Sequence, residues 1–142
     1  MTALPVTRFD EYHEAVQLAG HDAAVGGEAA LDLWDVADVN PRRIDVVVPR
    51  GRRLRGRGGE RYAVTHTDLG PADIDFVDGV PVVVPAAAIR QVIDEGMDGT
   101  LVEQAITTSA RRDLLSPLAE ARLRVALADR HQGPPRAKAR PL

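Results

Sequence analysis

Residues 71–93, PADIDFVDGVPVVVPAAAIRQVI, change their hydrophobic period halfway along, and that change decides the fold class. Ile74 to Val77 and Val80 to Val84 are short apolar runs separated by Asp78-Gly79, a pair suited to the positive φ angles of a tight hairpin turn. They predict two antiparallel strands. Pro81 cannot donate a ladder hydrogen bond, so an edge or entry position is expected for it. After Pro85 the apolar residues Ile89, Val92, Ile93 and Met97 recur at helical spacing. Strands that give way to helices within one short stretch indicate an α+β chain.

Upstream, Ile44 to Val48 (IDVVV) is a β-branched run between Pro41 and Pro49, and Tyr62 to Thr67 alternates; both read as strands. The segment between them, 49–61, then reads as a long hairpin loop. The expected sheet is small and antiparallel, spans about residues 44–84, and is flanked by N-terminal and C-terminal helices. Phe9, Tyr12, Val16 and Ala19 mark one helix before it. A second is expected from about Ala23 to Trp34, although Gly26-Gly27 weakens it, because Gly costs roughly 1 kcal/mol against Ala inside a helix. Trp34, the one tryptophan, is expected to be buried against the sheet.

Downstream, Thr100 and Glu103 have the spacing of a capping box. Ser116-Pro117 has the form of an N-cap followed by the first helical residue. The helix it opens, to about Arg130, carries apolar residues on two faces, one for its own core and one for something else. Residues 131–142 (HQGPPRAKARPL) are basic and Pro-rich and read as a disordered tail. Residues 1–130 read as one domain, in line with a chain of 142 residues.

The formal net charge of −3 conceals blocks: −7 over residues 1–40, +6 over 41–61, −7 over 62–109 and +5 over 110–142. Seventeen of the 18 basic residues are Arg. Six of them, Arg50, Arg52, Arg53, Arg55, Arg57 and Arg61, fall in one Gly-rich segment and are the candidate partner- or nucleic-acid-binding residues. Guanidinium forks suit carboxylates and phosphates equally, and neutralising a polyanion releases its counterions. No aromatic residue lies between these arginines to stack on bases, and a solvated loop with no partner fits the same residues.

Chemistry is sparse. The chain has no Cys, which excludes disulfides and thiolate catalysis. His13, His21, His66 and His131 lack metal-ligand spacing. Asp73, Asp75 and Asp78 fit a polar turn better than a Mg²⁺ site. No phosphate-binding Gly loop or nucleophile elbow is present. The expectation is a non-enzymatic protein with no cofactor and no metal. No run approaches the roughly 18 apolar residues of a membrane span, and no signal-peptide pattern opens the chain. No membrane association and a cytoplasmic location are expected.

Three segments taken in order resemble one family. Residues 29–49 (AALDLWDVADVNPRRIDVVVP), 71–93 and 101–115 (LVEQAITTSARRDLL) are similar in sequence and spacing to AbiEi-family antitoxins of type IV toxin–antitoxin systems, over about residues 24–128. The resemblance implies an antitoxin that binds and neutralises a cognate nucleotidyltransferase-type toxin, with no catalysis of its own. Family members also carry an N-terminal winged helix that represses transcription. The stretch before residue 24 is too short for one, so the expected partner is the toxin ahead of DNA. The alternative is a nucleic-acid-binding transcriptional regulator using residues 50–61. The chain departs from the family at Val83, Val84 and Ala87, where hydroxyl residues and an arginine are usual, and at Gly26-Gly27. Oligomeric state is not readable from the sequence.

Overall fold

The computed structural model describes residues 8–20, 22–51 and 62–132. Its elements, in chain order, are α1 (Arg8–Ala19), β1 (Ala24–Val25), α2 (Gly27–Trp34), β2 (Ile44–Val48), β3 (Tyr62–His66), one 3-10 turn (Pro71–Asp73), β4 (Ile74–Val77), β5 (Val80–Val83), α3 (Pro85–Glu95), α4 (Gly99–Arg111) and α5 (Pro117–Gln132). The fold is α+β, as the sequence predicts.

The sheet is mixed, not antiparallel throughout. Its order is β3-β2-β1-β5-β4. The β4–β5 hairpin forms as expected, with Val77 opposite Val80 and Asp78 and Gly79 at positive φ. β2 and β3, however, run parallel, from Ile44 opposite Tyr62 to Val48 opposite His66. Residues 49–61 are therefore a crossover connection, not a hairpin loop; parallel neighbours require the chain to return to the starting end.

The centre of the sheet is β1, from a stretch that the helical reading absorbed. Its two residues pair antiparallel with β2 and parallel with β5. Both are fully buried. The helix starts only at Gly27, whose φ of 54° turns the chain out of the strand. Pro81 consequently lies on an inner strand. It is tolerated because β1 is so short that its recorded pairing with β5 is confined to Val25 opposite Val82.

One hydrophobic core joins the described elements. It is built from Val, Ile, Leu and Ala with Tyr12, as the low aromatic content requires. α1 lies against β1, β2 and β5; α3 packs on α2 and α5, and α4 on α3 and α5. Trp34 is half-buried against this core rather than enclosed by it. Its indole N–H donates to the Val83 carbonyl at 2.9 Å, which ties the end of α2 to the end of β5.

Local chemistry sets the start of α5 as expected, but not that of α4. Ser116 Oγ accepts the Ala119 N–H at 3.0 Å, the N-cap bond expected of Ser116-Pro117. Thr100 and Glu103 form no capping box, because α4 begins two residues earlier than a Thr100 N-cap would set it, after Asp98. α5 continues to Gln132, two residues past its expected end, and 133–142 lie outside the described residues.

Candidate functional site

The arginine-rich segment is bracketed by the sheet. Arg50 is exposed just past β2, and its backbone N–H donates to Asp68 Oδ1 at 2.9 Å. The Thr67 N–H donates to the Val48 carbonyl at 2.8 Å, so the ends of β2 and β3 are stitched together. Arg52, Arg53, Arg55, Arg57 and Arg61 lie outside the described residues. The parallel register separates their anchor points. Gly51 follows the Val48 end of the strand pair, whereas Tyr62 sits level with Ile44 at the other. The segment thus leaves and re-enters the fold at opposite ends of β3, an edge strand of the sheet.

A second charged feature, of opposite sign, escaped the sequence reading. Gly26 offers α2 no side-chain cap. Asp45, reaching over from β2, takes that role. Its carboxylate accepts backbone N–H groups of Glu28 and Ala29, the latter at 3.4 Å to Oδ2. Gln91 Oε1 on α3 accepts the Gly27 N–H at 2.9 Å. Three of the free donors at the helix start are thereby satisfied from neighbouring elements. The approach is close: a Cβ on Gly27 would lie 2.8 Å from Asp45 Oδ2, and one on Gly26 would lie 2.6 Å from a Val47 methyl.

Glu28 and Glu95 gather beside Asp45, and all three carboxyls are held above their ordinary range. For Glu28 the largest cause is burial, followed by the negative charge of Asp45. For Asp45 it is burial, opposed by the two backbone N–H donors and by Arg43. For Glu95 it is burial, then repulsion from Asp45, Asp94 and Glu28. Glu28 and Asp45 also line a shallow polar hollow of about 390 Å³ with Asn40, Arg42 and Arg43. The sequence carries one partial sign of it, Asp45 as the one charged residue in IDVVV, but nothing local brings Glu28, Asp45 and Glu95 together.

The remaining polar candidates are absorbed structurally. Asp73 Oδ2 accepts the Gly70 N–H, Asp75 Oδ1 accepts the Phe76 N–H, and Asp78 turns the hairpin. His13 Nε2 lies 3.1 Å from the Asp78 carbonyl oxygen, in position to donate to it and dock α1 onto that turn. No group of three or more potential metal ligands occurs among the described residues. Two arginines act as helix C-caps. Arg112 Nη1 donates to the carbonyls of Trp34 and Asp35 at 2.7 and 3.1 Å, at the end of α2. Arg130 Nη1 and Nη2 donate to those of Ile93 and Met97 at 2.9 and 2.8 Å, at the end of α3. Cations there satisfy free carbonyls and complement the helix dipole. Among the described residues no helix is long and apolar enough to cross a membrane.

No family model matches the chain, and no curated protein does. Among solved structures the fold is similar to the RV2827C protein from Mycobacterium tuberculosis, with a TM-score of 0.52 and 16% sequence identity over 86% of this chain. The match spans about half of that protein, 52% of its chain. At this identity the likeness is one of fold.

Proposed function

We propose that this chain is the toxin-binding body of an antitoxin-type regulatory protein, and that its partner is a nucleotidyltransferase-like toxin. The observation that carries the reading is the order of the three segments resembling AbiEi antitoxins. They fall on α2 and β2, on β4, β5 and α3, and on α4. Those elements contribute to one core, so the resemblance extends over parts that pack together and does not rest on one short motif. The chain acts by binding and does no chemistry of its own.

Recognition is electrostatic in its first stage. Phosphoryl-transfer enzymes hold their metal ions between carboxylates, and a row of guanidinium forks is the complement of such an acidic surface. The segment 50–61 supplies that row, while the blocks of −7 on either side of the basic stretch disfavour a long polyanionic duplex. Charge complementarity of this kind sets orientation and association rate more than final affinity.

Co-expression with a nucleotidyltransferase-type toxin, sought in the adjacent reading frame, tests the proposal. The chain is expected to relieve the growth arrest caused by that enzyme and to co-purify with it. Replacing Arg52, Arg53, Arg55 and Arg57 together by Ala slows association and blunts its salt dependence. Unrelieved arrest with no complex overturns the reading. Sequence-selective retention of promoter DNA by the chain alone would instead favour the nucleic-acid-binding regulator.

A further inference from the structure

The helix α5 has two working faces, and the fold uses one. Leu123 and Leu127 enter the core, and Arg130 caps α3. On the opposite side Leu118, Arg122, Val125 and Asp129 follow one another at intervals of four, three and four residues. That spacing sets them in a single line along the helix, as in a coiled-coil seam. Leu118 is 60% exposed and Val125 58% exposed, and the two charged residues are exposed as well. The line borders a groove of about 820 Å³ between α3 and α5, whose walls include Arg90, Ile93 and Asp94.

The order of charges identifies the occupant. Arg122 and Asp129 stand equally far from the midpoint between Val125 and Ala126. Within one helix they are separated by about 10 Å of rise, too far to pair with each other. We propose that this face is a homodimer interface, in which α5 packs antiparallel against α5 of a second copy about a two-fold axis beside Val125. In that arrangement Arg122 of each copy lies opposite Asp129 of the other, and the two Val125 side chains meet at the axis. A parallel pairing would set Arg122 against Arg122. The contact is isologous, the same patch on both copies, and so it closes at two.

Sedimentation velocity on the full chain over a wide concentration range tests this. A monomer–dimer equilibrium is expected for the wild type. Arg122→Asp sets carboxylate against carboxylate and Asp129→Arg sets guanidinium against guanidinium, so each weakens the dimer by about tenfold or more. The double exchange restores the attraction and with it the dimer. Val125→Glu places two carboxylates together at the axis and yields monomer. These residues are exposed in the single chain, so helical circular dichroism stays unchanged in every variant. A wild type that remains monomeric to millimolar concentration overturns the proposal. So does a dimer unmoved by the single exchanges, or one that the double exchange fails to restore.

Discussion

Gly27 holds φ at 54° with the Asp45 carboxylate closing on the space where a Cβ would stand. Both conditions favour glycine: the left-handed region strains an L residue, and the contact leaves no room. Gly27→Ala is expected to lower stability by about 1–3 kcal/mol, read as a fall in the denaturant midpoint at constant slope. Ser109 presents the opposite case. It is fully buried in α4, and its hydroxyl has no hydrogen-bond partner. An unpaired buried hydroxyl costs about 1–3 kcal/mol, so Ser109→Ala should leave stability unchanged or raise it. A clear fall in melting temperature would refute that account. Neither residue was legible beforehand. Gly26-Gly27 could be read as a weakness in a helix but not as the point where a strand becomes one, and nothing local to Ser109 reveals what surrounds it.

At the scale of elements, the junction of β1, α2 and β2 is held by a half-buried carboxylate, that of Asp45, and its pH dependence has a definite sign. Asp45, Glu28 and Glu95 titrate above their ordinary values in the folded protein. The native state therefore binds protons more tightly than the unfolded chain. From this cluster, stability rises as pH falls from neutral through the raised values, and levels off below the ordinary values of 3.8 for Asp and 4.5 for Glu. Asp45→Asn keeps an acceptor for the α2 donors and removes the charge, so it should flatten this slope in pH-dependent urea titrations. Asp45→Ala also loses the cap and should cost about 0.5–2 kcal/mol more. A slope unchanged by Asp45→Asn would contradict the assignment.

The same comparison explains which elements could be read in advance. The β4–β5 hairpin and the start of α5 depend on neighbours in the sequence, Asp78-Gly79 and Ser116-Pro117, and both form as predicted. β1 has two residues, too few to display a period. The direction of β3 relative to β2 depends on the path of the connection between them, which the run of glycines and arginines does not encode. Arg130 joins elements whose contact no local pattern announces. Its bonds to the Ile93 carbonyl in α3 and the Met97 carbonyl just past it predict that Arg130→Met lowers the melting temperature more than Arg122→Ala does, since no such bond is seen for Arg122.

For the whole molecule, the account assigns separate surfaces to separate tasks. The sheet and helices share one core, the arginine-rich segment is anchored at opposite ends of the edge strand β3, and the outer face of α5 is the proposed contact with a second copy. The blocks of charge were legible from the sequence, and so was the presence of an unused face on α5. The carboxylate cluster was not, because Glu28, Asp45 and Glu95 are far apart in the chain and meet only when α2, β2 and α3 pack. The central claim is that the arginine-rich edge meets a protein rather than a nucleic acid. It is tested most directly by equilibrium titration of the full chain, in parallel, with the proposed nucleotidyltransferase-type partner and with the promoter duplex of its own gene at several salt concentrations. The account predicts saturable binding of the enzyme that survives added salt, and DNA binding that is weak, unselective and falls log-linearly with salt. Tight, sequence-selective DNA binding with no detectable complex with the enzyme would contradict it.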